Sequence, residues 1–117
     1  MIAWNTEIVK RLITGSIKNV QLFGDNIGQP EPPYVVVKPI ASGDRKLFQI
    51  IVHSFIGSQD ILEAYVLREL TDLFKEPLGA GDLRISVLST GGWLGPYIDE
   101  GDNTLAMSRD FYIPITL

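Results

Sequence analysis

Cysteine is missing from this chain and histidine occurs once. The first absence removes disulfides, thiolate zinc sites, iron-sulfur clusters and cysteine nucleophiles together. It leaves the redox compartment open, because a cysteine-free chain folds in either setting. With one histidine, a histidine-based metal site or a Ser-His-Asp triad could rest only on His53. Basic clusters are scarce too: the ten Lys and Arg residues are scattered, and only Lys10-Arg11 and Arg45-Lys46 are adjacent. Nothing reads as a surface that wraps phosphates, which needs clustered cations. No apolar run approaches membrane-spanning length. Met1 to Trp4 has no basic n-region, and Lys10-Arg11 interrupts the only early apolar run, so no secretory signal is expected. The expectation is a chain kept in the cytoplasm where it is made, or in a particle assembled there.

What is present suits an ordinary folded domain. The 45% hydrophobic and 21% charged fractions exclude a low-hydropathy disordered chain. At 117 residues the chain reads as a single domain, 1–117, able to bury roughly two-thirds of the surface its unfolded form exposes. A net charge of -4 and a pI near 4.8 again speak against nucleic acid as a sequence-specific partner.

The most informative stretch is 30–56, a proline-bounded hairpin that gives way at once to a helix. Before it, Ile2, Trp4, Ile8, Val9, Leu12 and Ile13 are spaced for one apolar stripe on an amphipathic helix ending before Gly15. Val20, Leu22 and Phe23 suggest a short strand, followed by a surface loop through Pro30, Pro32 and Pro33. Tyr34 to Ile40 is an aromatic and β-branched strand with Pro39 inside it, which predicts an edge or a bulge. Ser42-Gly43-Asp44 supplies turn chemistry. The next strand, Leu47 to Phe55, points Phe48, Ile50 and Val52 one way and Leu47, Ile51 and Phe55 the other. Both of its faces are largely apolar.

Ser58 is placed to cap a helix with Asp60 in its first turn, and Leu62, Val66, Leu70 and Leu73 form its buried stripe up to Pro77. A strand over 83–88, a glycine-rich loop over 90–103 and a one-sided last strand from Leu105 follow, with Pro114 suggesting an edge. The order is α-β-β-β-α-β-β, an α+β fold with a mixed or antiparallel sheet and two helices mainly on one face. Helices on one face leave the other bare. A second copy of the chain, packed by face or added across an open edge, is favoured over the 90–103 loop as its cover.

Little chemistry follows from spacing. His53 sits mid-strand, where a structural role is expected. Asp99, Glu100 and Asp102 form an acidic cluster whose spacing matches no EF-hand, and it reads as a solvated loop or an acidic contact patch. Gly91 to Pro96 lacks the residues of a phosphate-binding loop, but Trp93, Leu94 and Tyr97 are either anchors of the kind interfaces favour or part of a loop tucked against its own sheet, with equal weight. No catalytic, cofactor or metal residues are assigned. The interface candidates are Ile51, Phe55, Tyr34, Trp93, Leu94, Tyr97, Asp99, Glu100 and Asp25. From another class, a ligand-binding or enzymatic domain would use His53 with Asp110 or Glu63.

The N-terminal helix, Pro-Pro-Tyr-Val-Val-Val, the turn, Phe-Gln-Ile-Ile-Val-His-Ser-Phe, the helix opening at Ser58-Gln59-Asp60 and the two closing strands together resemble the tail-terminator and tail-completion proteins of long-tailed bacteriophages. The resemblance spans almost the whole chain in order, length and strand texture. It implies a non-enzymatic α/β protein forming a hexameric ring on the last tail-tube ring, stopping tube growth and offering the surface that joins the head connector. The implied partners are the chain itself, the tail-tube protein and head-tail connector proteins, with DNA passing through the ring and no membrane. The implied location is the virion tail, after assembly in the host cytoplasm. The loops at 24–33 and 90–103 would face neighbours or the tube. A head-tail adaptor or minor tail protein is the alternative within the same setting.

Overall fold

The computed structural model describes residues 8–11, 20–22, 32–40, 46–65, 77–80, 83–89 and 91–113. Residues 8–11 are helical and are called α1. The strands are β1 (Val20–Leu22), β2 (Tyr34–Ile40), β3 (Lys46–Ser54), β4 (Leu78–Ala80), β5 (Leu83–Ile85), β6 (Leu88–Ser89), β7 (Leu94–Asp99) and β8 (Thr104–Ile113), with helix α2 (Gln59–Tyr65) after β3. The fold is α+β with small helices and mostly sheet, and the α-β-β-β-α-β-β order read from the sequence is the order of its larger elements.

The main sheet runs β1-β2-β3-β8, with β6 and β7 both paired to the far side of β8. It is mixed: β1 lies parallel to β2, and every other pair is antiparallel. Residues opposite one another in an antiparallel pair share a face. The registers therefore put Val35, Val37, Phe48, Ile50, Val52, Met107, Phe111 and Ile113 on one side. All are buried there, together with Ile8 of α1 and Leu62 of α2. Both helices thus pack on a single face, as the sequence pattern predicts. The Arg11 guanidinium also donates to the Pro77 carbonyl at 2.8 Å, fastening α1 beside the start of β4.

The last strand departs from expectation. β8 is central, not an edge, because Pro114 falls beyond Ile113 and leaves the ladder uninterrupted. The glycine-rich 90–103 segment is not simply a loop: Leu94–Asp99 is β7, folded back onto β8. The 83–88 strand is divided between β5, which forms a separate hairpin with β4, and β6 in the main sheet. Pro39 sits where β2 is an edge, since β1 pairs only with Val35 to Val37.

At the turn into α2, Leu62 N–H donates to the Ser58 carbonyl at 3.0 Å, which places Ser58 at the capping position. Its hydroxyl turns back to the Phe55 carbonyl at 2.6 Å rather than to a helix amide. Serine here tightens the strand-to-helix corner. Beyond Tyr65, the expected helix to Pro77 lies outside the described residues, as do most of the first helix, the Ser42-Gly43-Asp44 turn and residues 114–117.

Candidate functional site

The second face of the sheet is built in rows by the same registers. Val36, Ile51 and Ser108 make one row, extended by Leu94 of β7; Lys38, Gln49 and Asp110 make the next; Ile40, Leu47 and Tyr112, extended by Leu88 of β6, make a third. Two apolar rows thus flank a polar one. In these three rows every β2 and β3 residue is half-buried, and Leu94 and Leu88 are exposed. Of the described elements outside the main sheet, α1, α2 and β4 place Ile8, Leu62 and Leu78 in the core on the other face, and within these rows Ser108 is 4% exposed. Asp110 Oδ1 lies in the polar row, out of solvent, and has no hydrogen-bond partner among the described residues. Leaving such an acceptor unpaired costs about 1–3 kcal/mol, a cost that a donor arriving with a covering surface would remove.

The candidate interface residues divide sharply. Ile51 stands on the open face, and Leu94, in the same row, is 63% exposed. Phe55 lies just past β3 and is 55% exposed. Tyr97 and Glu100 are exposed, and Asp99 is half-buried. Tyr34 is corrected: it is buried inside the monomer, its ring stacked on His53 with centroids 4.5 Å apart, and it offers no surface to a neighbour. Trp93 is half-buried too, packed edge-on against Phe111 at 6.3 Å in the core. Asp25 lies outside the described residues.

The Trp93 loop is held down by Arg109. Its guanidinium donates to the Gly91 carbonyl and to Ser89 Oγ, both at 2.7 Å, and lies 5.5 Å from the Phe111 ring centre. Gly95 then lets β7 approach β8: its φ is +111°, and a Cβ there would meet the Ala106 carbonyl oxygen at 2.8 Å.

At one end of the same face, the structure gathers groups that are distant in sequence. His53 pairs with Tyr34 on one side and Ala106 on the other, and Asp99 pairs with Thr104. His53 Nδ1 and Thr104 Oγ1 are 2.8 Å apart in a buried hydrogen bond. The turn after β7 brings Asp102 alongside: its backbone N–H donates to Asp99 Oδ1 at 3.1 Å, and the Tyr34 hydroxyl reaches its carboxylate at 3.3 Å. His53 as a residue is 3% exposed. Burial pushes its pKa below the usual histidine value, and the carboxylates of Asp102 and Asp99 pull it partly back.

His53 is not joined to the acids weighed for an enzymatic reading. Asp110 pairs with Gln49, four residues along the strand from His53, which is roughly 13 Å. Glu63 is on α2, the helix packed on the opposite face, and accepts from Gln59.

Leu47 stands on this face with Ile51, as the alternation along β3 suggests, whereas Val36, Ile40, Leu88 and Tyr112, and the exposed Ile56 and Ile98 at the sheet end, were not singled out in the sequence. Alternation at Val36, Lys38 and Ile40 was the signal available. No protein-family model matches the chain, and no curated protein matches it.

Proposed function

We propose that this protein is a structural assembly component of the tail-terminator type. Copies pack side by side into a ring that caps the tail tube of a long-tailed bacteriophage, stops its growth and offers a surface for joining the head. The observation that carries this reading is the half-buried second sheet face, with two apolar rows around Asp110 and exposed Leu94 and Leu88 at their ends. A lone domain gains nothing from such rows, whereas removing them from water on assembly yields about 25 cal/mol per Å² of apolar area. The outer edge of β7, exposed and without a paired strand among the described residues, supports the same reading, since such an edge is a ready site for a neighbouring chain. The element order resembles that family along almost the whole chain.

The deciding experiment is mass measurement and negative-stain microscopy of the purified chain, alone and with tail-tube protein. Closed rings, of six copies by the family resemblance, that bind tube ends and halt their extension are expected. A strict monomer at high concentration that forms no ring when tube protein is added overturns the proposal.

A further inference from the structure

The cluster at the end of the sheet combines donor types that neither the ring nor the core requires. One ligand-capable atom from each of His53, Asp99 and Asp102 lies within 4.8 Å of the other two. Bonds from a first-row divalent metal to imidazole nitrogen and carboxylate oxygen are about 2.0–2.2 Å. Ligands around such an ion therefore stand roughly 3–4 Å apart, and the three side chains need close by only about an ångström, a movement that Asp102, on the exposed turn, and the Asp99 side chain at the end of β7 can share.

The histidine is what separates this cluster from an ordinary acidic turn. It is nine-tenths and more buried, and its one hydrogen bond among the described residues engages Nδ1 with Thr104. When Nδ1–H donates to the threonine oxygen, the second ring nitrogen carries the lone pair that a metal ion needs. A metal-bound histidine characteristically has its other nitrogen held in this way, which fixes the tautomer and the ring plane. Stacking on Tyr34 holds the same plane from the side, and the Tyr34 hydroxyl reaches Asp102. Two carboxylates, a fixed imidazole and its hydroxyl support are a built donor set.

We propose that His53, Asp99 and Asp102 form a binding site for a first-row divalent cation, best matched by Zn²⁺, which clamps the β7–β8 turn to the end of β3. One imidazole and two carboxylates suit Zn²⁺, and less tightly Mn²⁺, following the usual order of affinities. Ca²⁺ and Mg²⁺ favour all-oxygen sites and are disfavoured by the imidazole. Water completes the coordination, because Asp102 is on the exposed side. The site depends on no neighbouring copy, so it stands or falls apart from the ring.

The test uses tag-free full chain stripped with EDTA, titrated calorimetrically with Zn²⁺, Mn²⁺, Ca²⁺ and Mg²⁺, with thermal melts alongside. One equivalent of Zn²⁺ is expected to bind and raise Tm, Mn²⁺ to bind more weakly, and Ca²⁺ and Mg²⁺ to do neither. Asp99→Asn and Asp102→Asn change partly or fully exposed carboxylates, and each is expected to fold and to lose at least tenfold in Zn²⁺ affinity. Because His53 is the sole histidine, its single set of ring signals in ¹⁵N NMR reports coordination directly and should shift with one equivalent of Zn²⁺. Absence of stoichiometric Zn²⁺ binding, Zn²⁺ binding undiminished in both variants, an unmoved ring signal, or a response to Ca²⁺ alone overturns the proposal.

Discussion

Tyr34 and His53 are direct partners across β2 and β3, and their rings stack at 4.5 Å with 14° between the planes. The tyrosine is 3% exposed, so its ring is part of the packing. Tyr34→Ala is expected to cost about 3–5 kcal/mol, as for other buried aromatics. Tyr34→Phe keeps the ring, removes the hydroxyl that reaches Asp102 at 3.3 Å, and is expected to cost less, about 1 kcal/mol. Urea unfolding of the two variants checks the ratio; equal losses would mean that the hydroxyl, not the ring, carries the residue.

Gly95 is the position where backbone freedom is required. Alanine there faces both a left-handed φ and the Ala106 carbonyl at 2.8 Å, so Gly95→Ala is expected to destabilise by about 1–3 kcal/mol and to loosen β7 first. Gly91, with nothing within 4 Å of a built Cβ, is the control, and Gly91→Ala should stay within about 0.5 kcal/mol of the parent. Hydrogen exchange of the β7 amides in Gly95→Ala tests whether the loss is local.

Alternation and turn chemistry made much of this fold legible. Alternation separated Phe48, Ile50 and Val52 from Leu47, Ile51 and Phe55 on β3 without saying which set meets the core, and Ser58 with Asp60 marked the start of α2. The central place of β8 was hidden because Pro114 was weighed as part of the strand, whereas the ladder ends at Ile113. β7 was hidden because Gly91, Gly92, Gly95 and Pro96 dominate its surroundings, and pairing with β8 overrides that local preference. The His53 cluster was illegible for a different reason. Asp99 and Asp102 are more than forty residues from His53 and match no motif spacing; only the β3–β8–β7 register makes them neighbours. Tyr34 was misread as an interface residue because a strand-opening aromatic looks the same in sequence whether it meets a partner chain or its own histidine.

Stability should depend on pH through His53. Its folded pKa lies below the ordinary value of 6.5, chiefly from burial. A depressed histidine pKa means that the unfolded chain binds the proton more readily, so stability is full above about pH 6.5 and falls as pH drops below it. Asp102→Asn removes a carboxylate that raises that pKa, so the fall should be larger. Melting temperatures of the EDTA-treated protein between pH 8 and 5 check this; a parent profile flat through that window, or a shallower slope in Asp102→Asn, contradicts it.

Ile50 and Ile51 are neighbours in sequence on opposite faces of β3, which makes them the cleanest separation of folding from assembly. Ile50 is in the core at 1% exposure, and Ile50→Asp should leave the chain unfolded, since an unpaired buried carboxylate adds to the lost packing. Ile51 lies half-buried between Val36 and Ser108, on the face opposite the core, where a carboxylate is desolvated less than at Ile50. Ile51→Asp is therefore expected to fold, with a loss of about 1–2 kcal/mol, and to sediment as a monomer under conditions where the parent forms rings. Leu94→Asp, one strand beyond Ser108 in the same row, should do the same with a smaller effect on stability, because its side chain is largely in solvent already. Rings that survive both substitutions would place the contact elsewhere, with the exposed Phe55, Ile56 and Ile98 at the sheet end as the next surface to alter.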